Sequence, residues 1–125
     1  MISTENATQS IDFENEATKI IYQMGVPAHI KGYQYLKMAI LMTIEDSEII
    51  NPAPKIFYSS IAKKYHTTPS RVERYIRHAI KVAWSRNDVD TLHSYFGHTV
   101  QNKRQKPTPL EFIEKIAEEL KQKKT

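Results

Sequence analysis

The chain has 125 residues, a formal net charge of +4 and no cysteine, which suits one domain with its own core and excludes disulfides, thiol catalysis and thiolate metal sites. No apolar run reaches the roughly 20 residues of a transmembrane helix, and residues 1–10 lack the basic and apolar parts of a signal peptide. We therefore expect a soluble cytoplasmic protein with no membrane partner.

The positive charge is concentrated in one part of the chain. Residues 61–106 contain ten lysines and arginines against three acids, a net +7, whereas residues 1–18 carry four acids and no basic residue. Such a concentration is typical of a protein that binds a polyanion. An ordinary solvated basic face is the alternative, and charge alone does not decide between the two.

Apolar residues at helical spacing predict an all-α fold of about six helices, without a winged element. Residues 1–10 are polar and aperiodic and predict a disordered leader, which leaves residues 11–125 as the folded domain. No alternating strand pattern and no internal repeat occurs. The predicted helices cover residues 12–24, 33–47, 55–65, 69–86, 88–95 and 109 onwards.

Local signals set the helix ends. Gly25 is placed to close the first helix in a left-handed conformation, and Pro52 and Pro54 separate the second helix from the third. Thr68 followed by Pro69 is a strong start for the fourth helix. Thr108 with Glu111 forms the sequence of a capping box for the last helix.

The segment 55–86 has the spacing of a helix-turn-helix. Ala62 is the small residue where two helices cross, residues 66–68 form the turn, and Val72 is the β-branched residue that fixes the pair. His66 stands where glycine is common, so it must accept a left-handed or strained conformation. Helical hairpins without DNA function share this apolar spacing.

The fourth helix separates a core side from a charged side. Val72, Ile76, Ala79, Ile80 and Ala83 cluster within about 100° of arc. The opposite side of the same helix is cationic and polar, as expected of a helix that enters the major groove of DNA; it carries Arg71, Arg74, Arg77, His78 and Lys81.

Three arginines on this side are candidate base readers, because an arginine fork can pair with O6 and N7 of guanine. We expect Arg74 to be the main reader, with Arg71 and Arg77 beside it. Glu73 could accept from a cytosine amino group or could orient Arg77 four residues away. Candidate phosphate contacts are Lys63, Ser70, His78, Lys81, Lys103, Arg104 and Lys106.

The sequence offers little for catalysis. The five histidines show no metal spacing, and there is no glycine-rich phosphate loop, nucleophile elbow or pair of carboxylates beside an apolar pocket. We expect no enzyme, no metal, no cofactor and no small-molecule substrate.

Several strings resemble a known bacterial family, the DNA-binding effector domain of the stage-zero sporulation protein A response regulators. The resemblance covers about residues 20–121. Its strings are VPAHIKGYQYL (26–36), IAKKY (61–65), SRVER (70–74), IRHAI (76–80) and VAWSR (82–86).

The resemblance implies a six-helix domain that reads short TGTCGAA-like promoter boxes and regulates transcription, with two copies in tandem on double-stranded DNA. It implies a nucleoid location, domain-to-domain contact around Leu92, Tyr95 and Phe96, and polymerase contact near residues 84–86. Its DNA-contact residues match Ser70, Arg71, Glu73, Arg74, Arg77 and His78.

The family's phosphoacceptor receiver domain has no counterpart in the sequence, and we expect a stand-alone relative rather than a fragment. Phosphorylation would then not be its switch. The main alternative function is a protein-interaction module that binds a full-length regulator or RNA polymerase without reading DNA.

Overall fold

The computed structural model describes residues 2–46, 54–96 and 107–124. These residues form six helices and no strand, so the predicted all-α class is confirmed. The predictions at residues 47–53 and 97–106, including the phosphate contacts at Lys103, Arg104 and Lys106, lie outside the described residues. The helices are α1 (Ile2–Gln23), α2 (Lys31–Glu45), α3 (Pro54–Lys64), α4 (Pro69–Arg86), α5 (Val89–Phe96) and α6 (Pro109–Lys124).

Helix α1 is longer than the sequence predicted. It begins at Ile2 rather than near residue 12, so the backbone of the predicted disordered leader is helical. Residues 2–10 contain no proline or glycine, and extending an existing helix gains one backbone hydrogen bond per residue. The end agrees with the prediction, because Gly25 has a φ of +86° and its N–H donates to the Tyr22 carbonyl at 2.9 Å.

Helix α2 is central and packs against α1, α3, α4 and α6. Its tightest contact is at Gly32, where the Cβ of any other residue would come within 2.3 Å of the Tyr75 carbonyl oxygen and 2.9 Å of the Ala79 Cβ. The absence of a side chain at Gly32 therefore lets the start of α2 touch the backbone of α4. The predicted apolar side of α2, with Tyr33, Leu36 and Ile40, is buried.

The core continues through α5 and α6. An aromatic chain joins α4 to these helices, with ring centroids 5.8 Å apart for Trp84 and Phe96 and 5.1 Å apart for Phe96 and Phe112. The predicted capping box of α6 is present. The Thr108 N–H donates to Glu111 Oε1 at 2.8 Å, and the Glu111 N–H donates to Thr108 Oγ1 at 3.2 Å.

Replacement of Gly32 by alanine tests the contact between α2 and α4. Alanine normally stabilises a helix relative to glycine, but here its Cβ would press on backbone atoms of α4. We expect Gly32→Ala to lower the free energy of unfolding by about 1–3 kcal/mol in urea denaturation. The control is Gln34→Ala at an exposed position of α2, which should change the free energy of unfolding little. A Gly32→Ala variant more stable than the parent would contradict this packing.

The capping box predicts a pH-dependent contribution to stability. The hydrogen bond from the Thr108 backbone, together with that from its side chain, holds the pKa of Glu111 below its ordinary value of 4.5. Because the folded-state pKa is the lower one, the carboxylate stabilises the fold above the unfolded pKa and loses this effect as the pH falls through the folded pKa.

We therefore expect Glu111→Ala to lower the Tm at neutral pH and to approach the parent protein as the solution is acidified. The control is Glu114→Ala on the same helix, outside the cap. A Tm difference between Glu111→Ala and parent that stays constant down to the lowest pH would rule out this role for the carboxylate.

Candidate nucleic-acid interface

The turn between α3 and α4 has the predicted conformation. His66 has a φ of +54°, the one positive value among the described residues other than glycine. The Thr67 N–H donates to the Ala62 carbonyl at 2.9 Å and closes the turn. Ala62 and Val72 are both buried where the helices meet, as the helix-turn-helix spacing predicted.

The start of α4 is fixed by its cap. Thr68 has extended backbone, and its Oγ1 accepts from the Arg71 N–H at 3.3 Å. Pro69 occupies the first turn, where its missing N–H costs nothing. The rotational position of the first exposed residues, Ser70 and Arg71, is therefore set by the local sequence.

Helix α4 has two distinct sides. The five predicted core residues from Val72 to Ala83 are buried, and Trp84, which the sequence pattern did not assign to the core, is buried with them. The opposite side, which we call the outer face, is exposed to solvent along three turns. The outer face consists of Ser70, Arg71, Arg74, Arg77, His78 and Lys81.

An open, polar depression lies at the N-terminal half of the outer face. Its lining comprises Thr68, Ser70, Arg71, Glu73, Arg74 and Arg77. A shallow cationic surface of this kind suits contact with a large polyanion rather than enclosure of a small substrate.

Glu73 pairs with Arg77 on one flank of the outer face. The Arg77 guanidinium donates to Glu73 Oε1, one turn away on the same helix. Tyr58 of α3 lies close behind this pair: burial raises the pKa of Tyr58, the charge of Glu73 raises it further, and Arg77 opposes the rise. This ion pair is the orienting arrangement that the sequence left open for Glu73.

On the other flank of the outer face, several side chains contact the ring of Tyr75. The Arg74 guanidinium carbon lies 5.3 Å from the centre of its ring, and the Lys31 ammonium lies 5.7 Å from the same centre. Tyr35 of α2 supports Tyr75 from behind, with centroids 6.0 Å apart, and also contacts Tyr65 at 5.1 Å. The sequence did not reveal this cluster, because its members come from α2, from α4 and from the turn after α3.

The remaining predicted residues fall into different environments. Lys63 is exposed near the end of α3, as phosphate contact requires. Leu92 and Phe96 are buried in the core, and the Phe96 ring packs against Trp84. Of that predicted contact only Tyr95 is partly exposed.

Two of the three residues predicted to contact polymerase, residues 84–86, are engaged in packing or hydrogen bonding with other parts of the domain. Trp84 is buried, and the Arg86 guanidinium donates to the Gly25 carbonyl at 2.5 Å. The neighbouring Asn87 amide donates to the Met24 carbonyl at 2.9 Å. These bonds tie the end of α4 to the turn after α1, and Ser85 remains exposed.

Within residues 2–46, 54–96 and 107–124, no group of three or more histidines or acids is arranged to hold a metal ion. None of the helices found there is long and apolar enough to cross a membrane.

The fold and the outer face define a helix-turn-helix domain whose second helix carries an exposed cationic face. The family model described as the sporulation initiation factor Spo0A C terminal matches residues 17–120, well over half of the sequence. The chain therefore belongs to the family of the Spo0A C-terminal domain, a DNA-binding domain of sporulation regulators and not an enzyme family.

The ion pair between Glu73 and Arg77 predicts how a substitution of Glu73 changes the affinity for non-specific DNA. Glu73→Gln removes a negative charge from the interface and releases the Arg77 guanidinium. We expect about two- to tenfold tighter binding to a shuffled duplex, with a steeper salt dependence. Fluorescence anisotropy measures both quantities.

Glu114→Gln is the matched control, because it removes an exposed acid from α6 and should leave DNA binding unchanged. Weaker binding of Glu73→Gln to the shuffled duplex would show that the carboxylate does not restrain Arg77.

Proposed function

We propose that the protein is a sequence-specific transcription factor that reads short TGTCGAA-like promoter boxes through α4. The observation that carries this proposal is the outer face, where three exposed arginines lie on a helix whose other side is locked into the core. A helix held in this way can enter the major groove without disturbing the fold.

Arg74 is the main guanine reader in this proposal. Its guanidinium lies beside the Tyr75 ring while the side chain remains exposed, so part of its conformational freedom is already restricted before DNA binds. A bidentate pair with O6 and N7 of guanine contributes roughly 1–3 kcal/mol of discrimination. Arg71, Arg77 and Glu73 read neighbouring bases, with Glu73 also orienting Arg77.

Residues around the outer face bind phosphates and set the register of the helix on DNA. Lys63, Ser70, His78 and Lys81 are exposed and suited to this role. Lys103, Arg104 and Lys106 extend the same set on the strength of their charge.

Transcription is regulated, in this proposal, by two copies bound in tandem on DNA, with Tyr95 at the contact between them. RNA polymerase contacts the exposed end of α4 around Ser85. The protein acts at the nucleoid in the bacterial cytoplasm.

Substitution of Arg74 tests the base-reading role. Arg74→Ala should reduce discrimination between the TGTCGAA duplex and a duplex changed at the guanine it reads, by about 1–3 kcal/mol. Arg74→Lys keeps the charge but loses the two-pronged geometry. It should retain most binding to a shuffled duplex and still lose discrimination.

Gel-shift titrations against boxes with single substitutions provide the measurement, and thermal melting checks that both variants fold. Unchanged affinity and selectivity of Arg74→Ala would refute the assignment. If the protein bound a full-length regulator or RNA polymerase but had no affinity for DNA, the result would instead support an interaction module.

A further inference from the structure

Lys31 is the first residue of α2, yet it lies beside α4. The adjacent Gly32 touches the α4 backbone at Tyr75, which fixes the start of α2 at this point. The Lys31 ammonium consequently lies 5.7 Å from the centre of the Tyr75 ring. A helix outside the helix-turn-helix therefore brings a cation to the flank of α4.

This flank borders the outer face. Tyr75 is the ring that also contacts Arg74, the proposed guanine reader, at 5.3 Å from its guanidinium carbon. Glu73, which lies near Tyr58 of α3, projects about 160° away from Tyr75 at 100° per residue. Helices α3 and α2 therefore flank α4 on opposite sides.

The charge of Lys31 is not neutralised within the described residues. Its side chain is exposed, and no carboxylate of the described residues forms an ion pair with it. Lys37 of the same helix, by contrast, pairs with Glu14 at 3.3 Å. The group that Lys31 meets at the Tyr75 ring is the cation Arg74 and not an acid. This position therefore favours an anionic ligand from outside the protein.

We infer that the DNA-contacting surface continues from α4 onto α2 and that Lys31 binds a phosphate of the DNA backbone, which rests on the DNA binding proposed above. A helix in the major groove, about 12 Å wide, has phosphates along both of its flanks. A lysine held at one flank contacts a phosphate and contributes affinity without base information.

The test compares the parent protein, Lys31→Gln and Lys115→Gln in fluorescence anisotropy over a series of KCl concentrations. Each protein is titrated with a TGTCGAA duplex and with a shuffled duplex. Glutamine keeps part of the aliphatic stem and a polar end while it removes the charge. Lys115 is the control, because it is an exposed lysine of α6 surrounded by Glu118 and Glu119.

Loss of one phosphate contact should weaken Lys31→Gln about five- to tenfold on both duplexes near 0.1 M salt and reduce the salt slope by about 0.9. Lys115→Gln should match the parent, and Lys31→Arg should retain most of the affinity. Thermal melting establishes that each variant is folded.

Two results would overturn the inference. The first is that Lys31→Gln equals the parent on both duplexes at every salt concentration. The second is that it loses affinity for the TGTCGAA duplex alone, which would mean that Lys31 acts through Arg74. If the parent protein binds neither duplex, DNA binding itself fails, and that outcome is distinct from a parent that binds while Lys31→Gln is unaltered.

Discussion

The contact between α2 and α4 at Gly32 is the constraint on which the interface depends. Gly32 brings the start of one helix onto the backbone of the other at Tyr75, in a space that no Cβ could share. Helix α4 is then held by α2 and α3 along its buried side, and Arg86 and Asn87 fasten its end to the turn after α1. The outer face is what this packing leaves exposed, so its orientation is set by the core.

In the proposed function, the charges on α4 contribute to affinity for DNA and to discrimination between sequences in different ways. Exposed cations attract any duplex, because phosphates are the same in every sequence. The contacts of the arginines differ: Arg74 lies beside an aromatic ring, while Arg77 is paired with Glu73. An acid within a cationic surface lowers attraction to DNA in general, which favours selectivity over binding strength. The two flanks of α4 are thus chemically unequal before DNA is present.

Features encoded by adjacent residues were predicted well from the sequence. The caps at Thr68 and Thr108, the left-handed His66 and the two sides of α4 depend on local spacing, and the structure confirms them. The Tyr75 cluster escaped prediction because it joins residues from separate helices. Leu92 and Phe96 lie four residues apart on one side of α5, a spacing that favours the core, whereas the family resemblance had assigned them to a contact surface. Helix α1 exceeded its prediction because polar residues without a breaker can extend a helix that the core has already started.

The most direct test of DNA recognition through the outer face is a chemical-shift titration of the ¹⁵N-labelled protein with a TGTCGAA duplex. Amide signals of residues 68–81 and of the start of α2 should shift together, while those of the exposed side of α6 around Lys115 should stay unchanged. Perturbation confined to α5 and α6, with the signals of α4 unaffected, would contradict this prediction.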